Sequence, residues 1–215
     1  MSSTTEQVEG LGLRNVASLG VVSLFTDIST EMILGVLPLF VLVELGATTA
    51  LLGLMEGTAD FLNYLFRTFS GLALDRVGRR KPLVLLGYSL STVAKPFLSV
   101  ARGFTDALVV RLTDRAGKGI RTSPRDALIS DSVKAEKSGR AFGLHRSIDQ
   151  VGAIIGPVST FLLIPLVGTR GLFLVSPLPG AIALLVLAFS SKTGKQPASR
   201  QDSFKMPEWF STENS

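Results

Sequence analysis

The sequence has 215 residues, 46% of them hydrophobic, and a formal net charge of +5, with a mean hydropathy of +0.40. That is more apolar surface than a soluble core of this size needs. With no cysteine and one histidine, disulfides and cysteine- or histidine-based metal centres are excluded.

The basic residues alternate with long apolar runs instead of forming one solvated face, which argues against nucleic acid and for loops beside a membrane. The first 13 residues carry Glu6 and Glu9 and no basic residue before Arg14. A cleavable signal peptide is therefore not expected.

Apolar stretches of roughly 20 residues, the length that about 30 Å of hydrocarbon demands, recur along the chain. After a cytoplasmic segment at 1–16, a first span is expected near 17–43, with Asp27 and Glu31 four residues apart on one helical face. The turn residues Gly46-Ala47-Thr48-Thr49 lead to a second span near 49–73. In it Glu56, Asp60, Asn63 and Arg67 recur at helical spacing.

Asp75-Arg76-Val77-Gly78-Arg79-Arg80-Lys81-Pro82 breaks the pattern before a third span near 82–101, which holds Lys95. After Arg102-Gly103 a fourth span is expected near 105–124. Arg111, Asp114, Arg115, Lys118, Arg121 and Arg125 trace one stripe there at three- and four-residue steps. A longer break is expected over 125–139.

The fifth span, near 140–166, opens with His145, Arg146 and Asp149. A break near Gly168 precedes a sixth span at 169–190. The polar tail 191–215, with Pro197 and Pro207, is expected to be disordered.

Orientation follows from the basic residues. Arg14, Arg76, Arg79, Arg80, Lys81, Arg125, Lys134, Lys137, Arg140, Lys192, Lys195, Arg200 and Lys205 fall on one side, Arg102 and Arg170 on the other, thirteen against two. Both termini are expected in the cytoplasm.

Charges inside spans are costly and face a bundle interior or a wet cavity. Acids and bases between Asp27 and Asp149, loops aside, are near balance, which suggests ion pairs in a shared polar interior. Pairing that only fixes helix packing is the plainer account of any single residue. For the set as a whole, a solute or proton pathway is the better account.

Gly71-Leu72-Ala73-Leu74-Asp75-Arg76-Val77-Gly78-Arg79-Arg80-Lys81 resembles the signature between the second and third helices of the major facilitator superfamily. Arg111, Gly117 and Gly119 resemble the family's fourth-helix motif, with Arg115 standing where a glycine is usual. Gly143, Gly152, Gly156 and Pro157 resemble the fifth-helix motif associated with antiporters, although Thr160 stands in a stretch that lacks its trailing glycines. The stretch from Arg125 to Gly143 is similar to the family's loop between helices four and five.

The resemblance implies an all-α membrane protein, the N-terminal six-helix half of a transporter. It also implies a second half, which is another copy of this chain, a separately encoded partner or a missing remainder, with solute bound midway between the two. The implied function is secondary active transport of a small, anionic solute by alternating access, with proton-coupled antiport as one coupling. The alternative is a non-transporting six-helix subunit that binds or regulates a partner.

Expected pathway residues are Asp27, Glu31, Glu56, Asp60, Arg67, Arg111, Asp114, Arg115, Lys118 and Asp149. Arg111, Arg115 and Lys118 would attract the solute, and Asp27, Glu31, Glu56 and Asp60 are candidates for protonation. Gly71, Asp75, Arg76, Gly78, Arg79 and Arg80 would form a cytoplasmic gate, with Asp126 or Asp131 as the acidic partner. No nucleophile–base pair or metal-ligand cluster appears, and Gly117-Lys118-Gly119 lacks phosphate-loop spacing. An enzyme, a metal and a cofactor are not expected; the expected partners are membrane lipid, the solute and the second half.

Overall fold

The computed structural model describes the backbone of residues 2–77 and 80–190, and the side chains of 12–74 and 80–189. Among the described residues every regular element is helical. The first rod is α1 (Ser2–Leu34), the single turn α2 (Leu37–Leu39) and a π-helical turn at Phe40–Glu44. α1 stops at Leu34 because Pro38 has no N–H to give its carbonyl and its ring crowds that oxygen. Gly46, at φ 65°, turns the chain into α3 (Thr49–Val77). Thr48 Oγ1 accepts the Leu51 N–H there at 3.3 Å, a side-chain cap.

α4 (Arg80–Ala94) tightens into a 3₁₀ stretch, Lys95–Val100, at Pro96. α5 spans Phe104–Asp131 and α6 Ser138–Val175, with a short 3₁₀ turn at Ala135–Lys137 between them. α7 covers Pro177–Ser190.

Three stretches are long and apolar enough to cross a membrane: Gly12–Glu44, Arg80–Val100 and Ala135–Phe189. The last has 55 residues, about 80 Å of helix against roughly 30 Å of hydrocarbon. Its backbone breaks at Gly168, φ 67° and ψ 177°, which divides it in two. α3 and α5 have 29 and 28 residues and carry charges through their middles.

The helices pack in two groups, α1 with α6 and α7, and α5 with α3 and α4. Glycines set the closest crossings. A Cβ on Gly87 would meet the Gly117 carbonyl oxygen at 2.6 Å, and one on Gly117 would meet the Gly87 oxygen at 2.7 Å. On α6, a Cβ on Gly156 would meet Glu31 Cβ of α1 at 2.5 Å, and one on Gly152 would run into the Leu24 backbone. One apolar cluster gathers Val16, Leu19, Val22, Tyr88, Leu128 and Leu187; another gathers Ile33, Phe40, Met55, Leu98 and Phe173. On α1 the stretch that holds Asp27 lies between them. Phe161, Leu166 and Phe189 stand outward, 76%, 80% and 86% exposed, as side chains facing acyl chains do and those facing water do not.

One expectation is corrected, and two motif glycines stand away from any close crossing. The break over 125–139 is shorter, because α5 continues to Asp131. Its charges Arg125 and Asp126 turn inward on the helix instead of marking a loop. Gly71 is not a close crossing, since a Cβ there would meet Ser123 Oγ at an ordinary 3.7 Å. Gly143 meets nothing within 4 Å, so its place in the fifth-helix motif serves no helix contact here. The backbones of Gly78 and Arg79, the side chains of Asp75 and Arg76, and the tail 191–215 lie outside the described residues.

A polar cavity between four helices as the candidate functional site

A cavity of about 560 Å³ opens among α1, α3, α5 and α6, within the usual range for small-molecule sites. Its walls are set by the inward stripes of those helices. α1 supplies Asp27, and α3 supplies Asp60, Asn63, Tyr64 and Arg67. α5 supplies Arg115, Lys118, Arg121, Thr122, Arg125 and Asp126, and α6 supplies Phe142, His145, Arg146 and Asp149. Six cations thus face four carboxylates, so the cavity is net positive before the lone histidine is counted.

Part of that charge is paired. Asp126 accepts from Arg125 at 3.0 Å and lies 3.6 Å from Arg67. Asp149 accepts from Arg146 at 3.0 Å, and its carboxyl also meets that of Asp27, beside Lys118 and Arg121. Below the cavity Ser23 Oγ is a hub. Arg125 donates to it at 3.2 Å, and it shares hydrogen bonds with Tyr88 at 3.2 Å and His145 Nε2 at 3.1 Å. This buried network ties four helices together. His145, 3% exposed, is thereby a structural partner of α1 at the cavity floor.

Of the expected pathway residues, Asp27, Asp60, Arg67, Arg115, Lys118 and Asp149 line the cavity, while Glu31, Glu56, Arg111 and Asp114 do not. Arg111, 3% exposed, donates to both Glu56 oxygens, at 3.0 and 2.6 Å. Asp114 lies 3.6 Å from Arg111 and accepts from Ser91. This bidentate, largely buried group joins α3, α4 and α5. Lys95, almost fully buried, donates to Ser29 at 2.8 Å and Thr30 at 3.0 Å, tying the 3₁₀ stretch to α1.

Of the expected gate residues, Arg80 donates to the Ala127 carbonyl at 2.7 Å and pairs with Asp131, while Asp126 belongs to the cavity. Tyr64, Thr122 and Phe142 are cavity residues that sequence reasoning passed over. Tyr64 continues the Asp60 to Arg67 spacing and was legible on that ground; an isolated Phe142 offers no such signal.

The family model of the Major Facilitator Superfamily matches residues 19–211. An uncharacterised transporter of this superfamily's type from Methanocaldococcus jannaschii is 32% identical over 195 residues, which are 90% of this chain and 48% of the relative. A multidrug resistance protein of Proteus mirabilis is 30% identical over 195 residues, 87% of this chain and 47% of the relative. The chain spans about half the length of the curated relatives it matches. Among solved structures, a bacterial homologue of the human lysosomal transporter Spinster, inward-facing and unoccupied, superposes with a TM-score of 0.65. The identity is 17%, over 85% of this chain and 43% of that one. Transporters of this superfamily are not enzymes. On the match to residues 19–211, the charged cavity among its helices and the shared fold, the chain belongs to the Major Facilitator Superfamily.

Proposed function

We propose that this chain is a six-span half of a secondary active transporter in the cell membrane, with both termini cytoplasmic. It moves a small anionic solute by alternating access. The observation that carries this is the cavity itself, whose wall carries six cations and four carboxylates. That face cannot rest against acyl chains, because each bare charge there costs a few kcal/mol. A second six-helix unit, whether another copy of the chain, a separately encoded partner or the remainder of a longer protein, covers it. In the superfamily signature that residues 71–81 resemble, the aspartate matching Asp75 meets a helix N-terminus of the other half, whose free amides favour a carboxylate, and the same contact is proposed for Asp75.

Proton-coupled antiport is the coupling that Gly143, Gly152, Gly156 and Pro157 of the fifth-helix motif support, with the Asp27 carboxyl on the cavity wall as its candidate carrier.

Two measurements test the reading together. Masses in lipid nanodiscs are expected to show paired six-helix units, and Asp75→Lys to split them. Proteoliposomes loaded with a pH indicator and offered a panel of organic anions are expected to show solute flux accompanied by a change of internal pH. A stable monomer that moves solute would sink the half-transporter reading. A pair with no flux of any solute would favour the non-transporting subunit.

A further inference from the structure

Three of the six cavity cations are already held: Arg67 and Arg125 by Asp126, Arg146 by Asp149. The other three, Arg115, Lys118 and Arg121, form no ion pair within 4.0 Å among the described residues. They stand three residues apart on α5, about 4.5 Å between neighbours and about 9 Å end to end along the axis.

Two of them carry a second signal. Arg115 and Arg121 are 8% and 3% exposed, and Arg115 Nε and Arg121 Nη1 are buried without a hydrogen-bond partner. A buried guanidinium nitrogen without an acceptor is costly, and structures rarely keep one without a reason. Here two share one cavity wall. Arg121 is also held in place, its guanidinium 4.4 Å from the centre of the Tyr88 ring. Behind it the Gly87–Gly117 crossing locks α5 against α4.

Resting on the transport reading above, we propose that Arg115, Lys118 and Arg121 form a cradle for a solute with a doubly charged oxyanion, a phosphate monoester or a pair of carboxylates. The charge balance sets the number: with six cations and four carboxylates lining the cavity, a dianion brings it to neutrality. The two guanidinium forks match oxyanions in a plane, and Lys118 adds a point charge between them. Tyr64 and Phe142 line the same cavity and offer ring surface to the organic part of the solute. Arg115 occupies the place where the family's fourth-helix motif carries a glycine, so the cradle is a feature of this chain's own sequence.

All three cradle residues sit on this chain, so binding is measurable on it without a second half. The chain in lipid nanodiscs is titrated by calorimetry with glycerol 3-phosphate, succinate, butyrate and glycerol. Glycerol 3-phosphate or succinate is expected to bind at least tenfold more tightly than butyrate or glycerol, and which of the two leads separates phosphate from dicarboxylate. Arg115→Gln and Arg121→Gln are each expected to weaken that binding at least tenfold, and Arg102→Gln, far from the cavity, to leave it unchanged. Should either buried variant fail to fold by circular dichroism, Lys118→Gln carries the same test with less burial at stake. Binding of both glycerol 3-phosphate and succinate no tighter than that of butyrate, or no binding of any probe, overturns the cradle. The transport reading falls only if flux is absent in the proteoliposome assay, so the two failures are distinguishable.

Discussion

Arg111 and Glu56 show how burial divides one ion pair unequally. The arginine is 3% exposed and the glutamate 37%. Removing Arg111 leaves a carboxylate that water still reaches, whereas removing Glu56 strands a desolvated guanidinium with only Asp114, 3.6 Å away. Glu56→Ala is therefore expected to cost about 3 kcal/mol of stability and Arg111→Ala about 1–2 kcal/mol. Replacing both by leucine should recover most of either loss, since a buried pair exchanged for apolar side chains is often neutral. Thermal melting in detergent of the wild type, the two single alanine variants and the double alanine variant closes the double-mutant cycle, with the double leucine variant melted beside them. An Arg111→Ala protein that melts like the wild type but loses anion binding would return Arg111 to the solute path. The neighbouring cations differ in role for the same reason: Arg111 has its carboxylate, and Arg115, one helical turn on, does not.

At the scale of elements, glycines that look alike in the sequence do different work. Gly152 and Gly156 seat α6 against the backbone of α1, while Gly143, nine positions before Gly152 in the same motif, faces open space. Gly143→Ala should be neutral or stabilising by up to about 1 kcal/mol, because alanine restricts the unfolded chain and suits a helix. Gly152→Ala should force α6 from α1 and destabilise by about 1–3 kcal/mol, as overpacked interiors do. The readout is the melting temperature of each variant; a harmless Gly152→Ala would show that the α1–α6 crossing is looser than its geometry. Gly168 is a third kind. Its φ of 67° lies where side chains are strained, so Gly168→Ala should cost about 1 kcal/mol through the backbone alone.

For the whole molecule the test is orientation. The chain has no cysteine, so single introduced thiols report without background. Thr48 and Thr169 lie at one end of the rods, Glu136 at the other. Thr48→Cys and Thr169→Cys are expected to react with a membrane-impermeant thiol reagent added to intact cells, and Glu136→Cys only after the cells are opened. The reverse pattern would invert the orientation derived from the basic residues. Arg170 lies at the same end of the rods as Thr48 and Thr169. It donates to the Ser99 and Ala101 carbonyls at 2.8 and 3.0 Å and lies 3.4 Å from Glu44. One of the two basic residues on the sparse side thus pins three chain segments together.

The periodic apolar runs, the basic loops and the charged stripes were legible from residues alone, because lipid demands long apolar helices and penalises stray charge whatever the tertiary arrangement. They yielded the helical class, the family resemblance, and Asp27, Asp60, Arg67, Arg115, Lys118 and Asp149 as inward-facing. Periodicity assigns a residue to a helix face, but it cannot say which neighbour that face meets. Only the packing separates Arg111, closed against Glu56, from Arg115 and Arg121, each of which keeps one buried nitrogen without a hydrogen-bond partner. Only the packing places Asp126 in the cavity and leaves Asp131 to Arg80. The same limit explains the glycines, since a missing side chain matters solely where another backbone comes close, and that approach is fixed by the crossing of two helices.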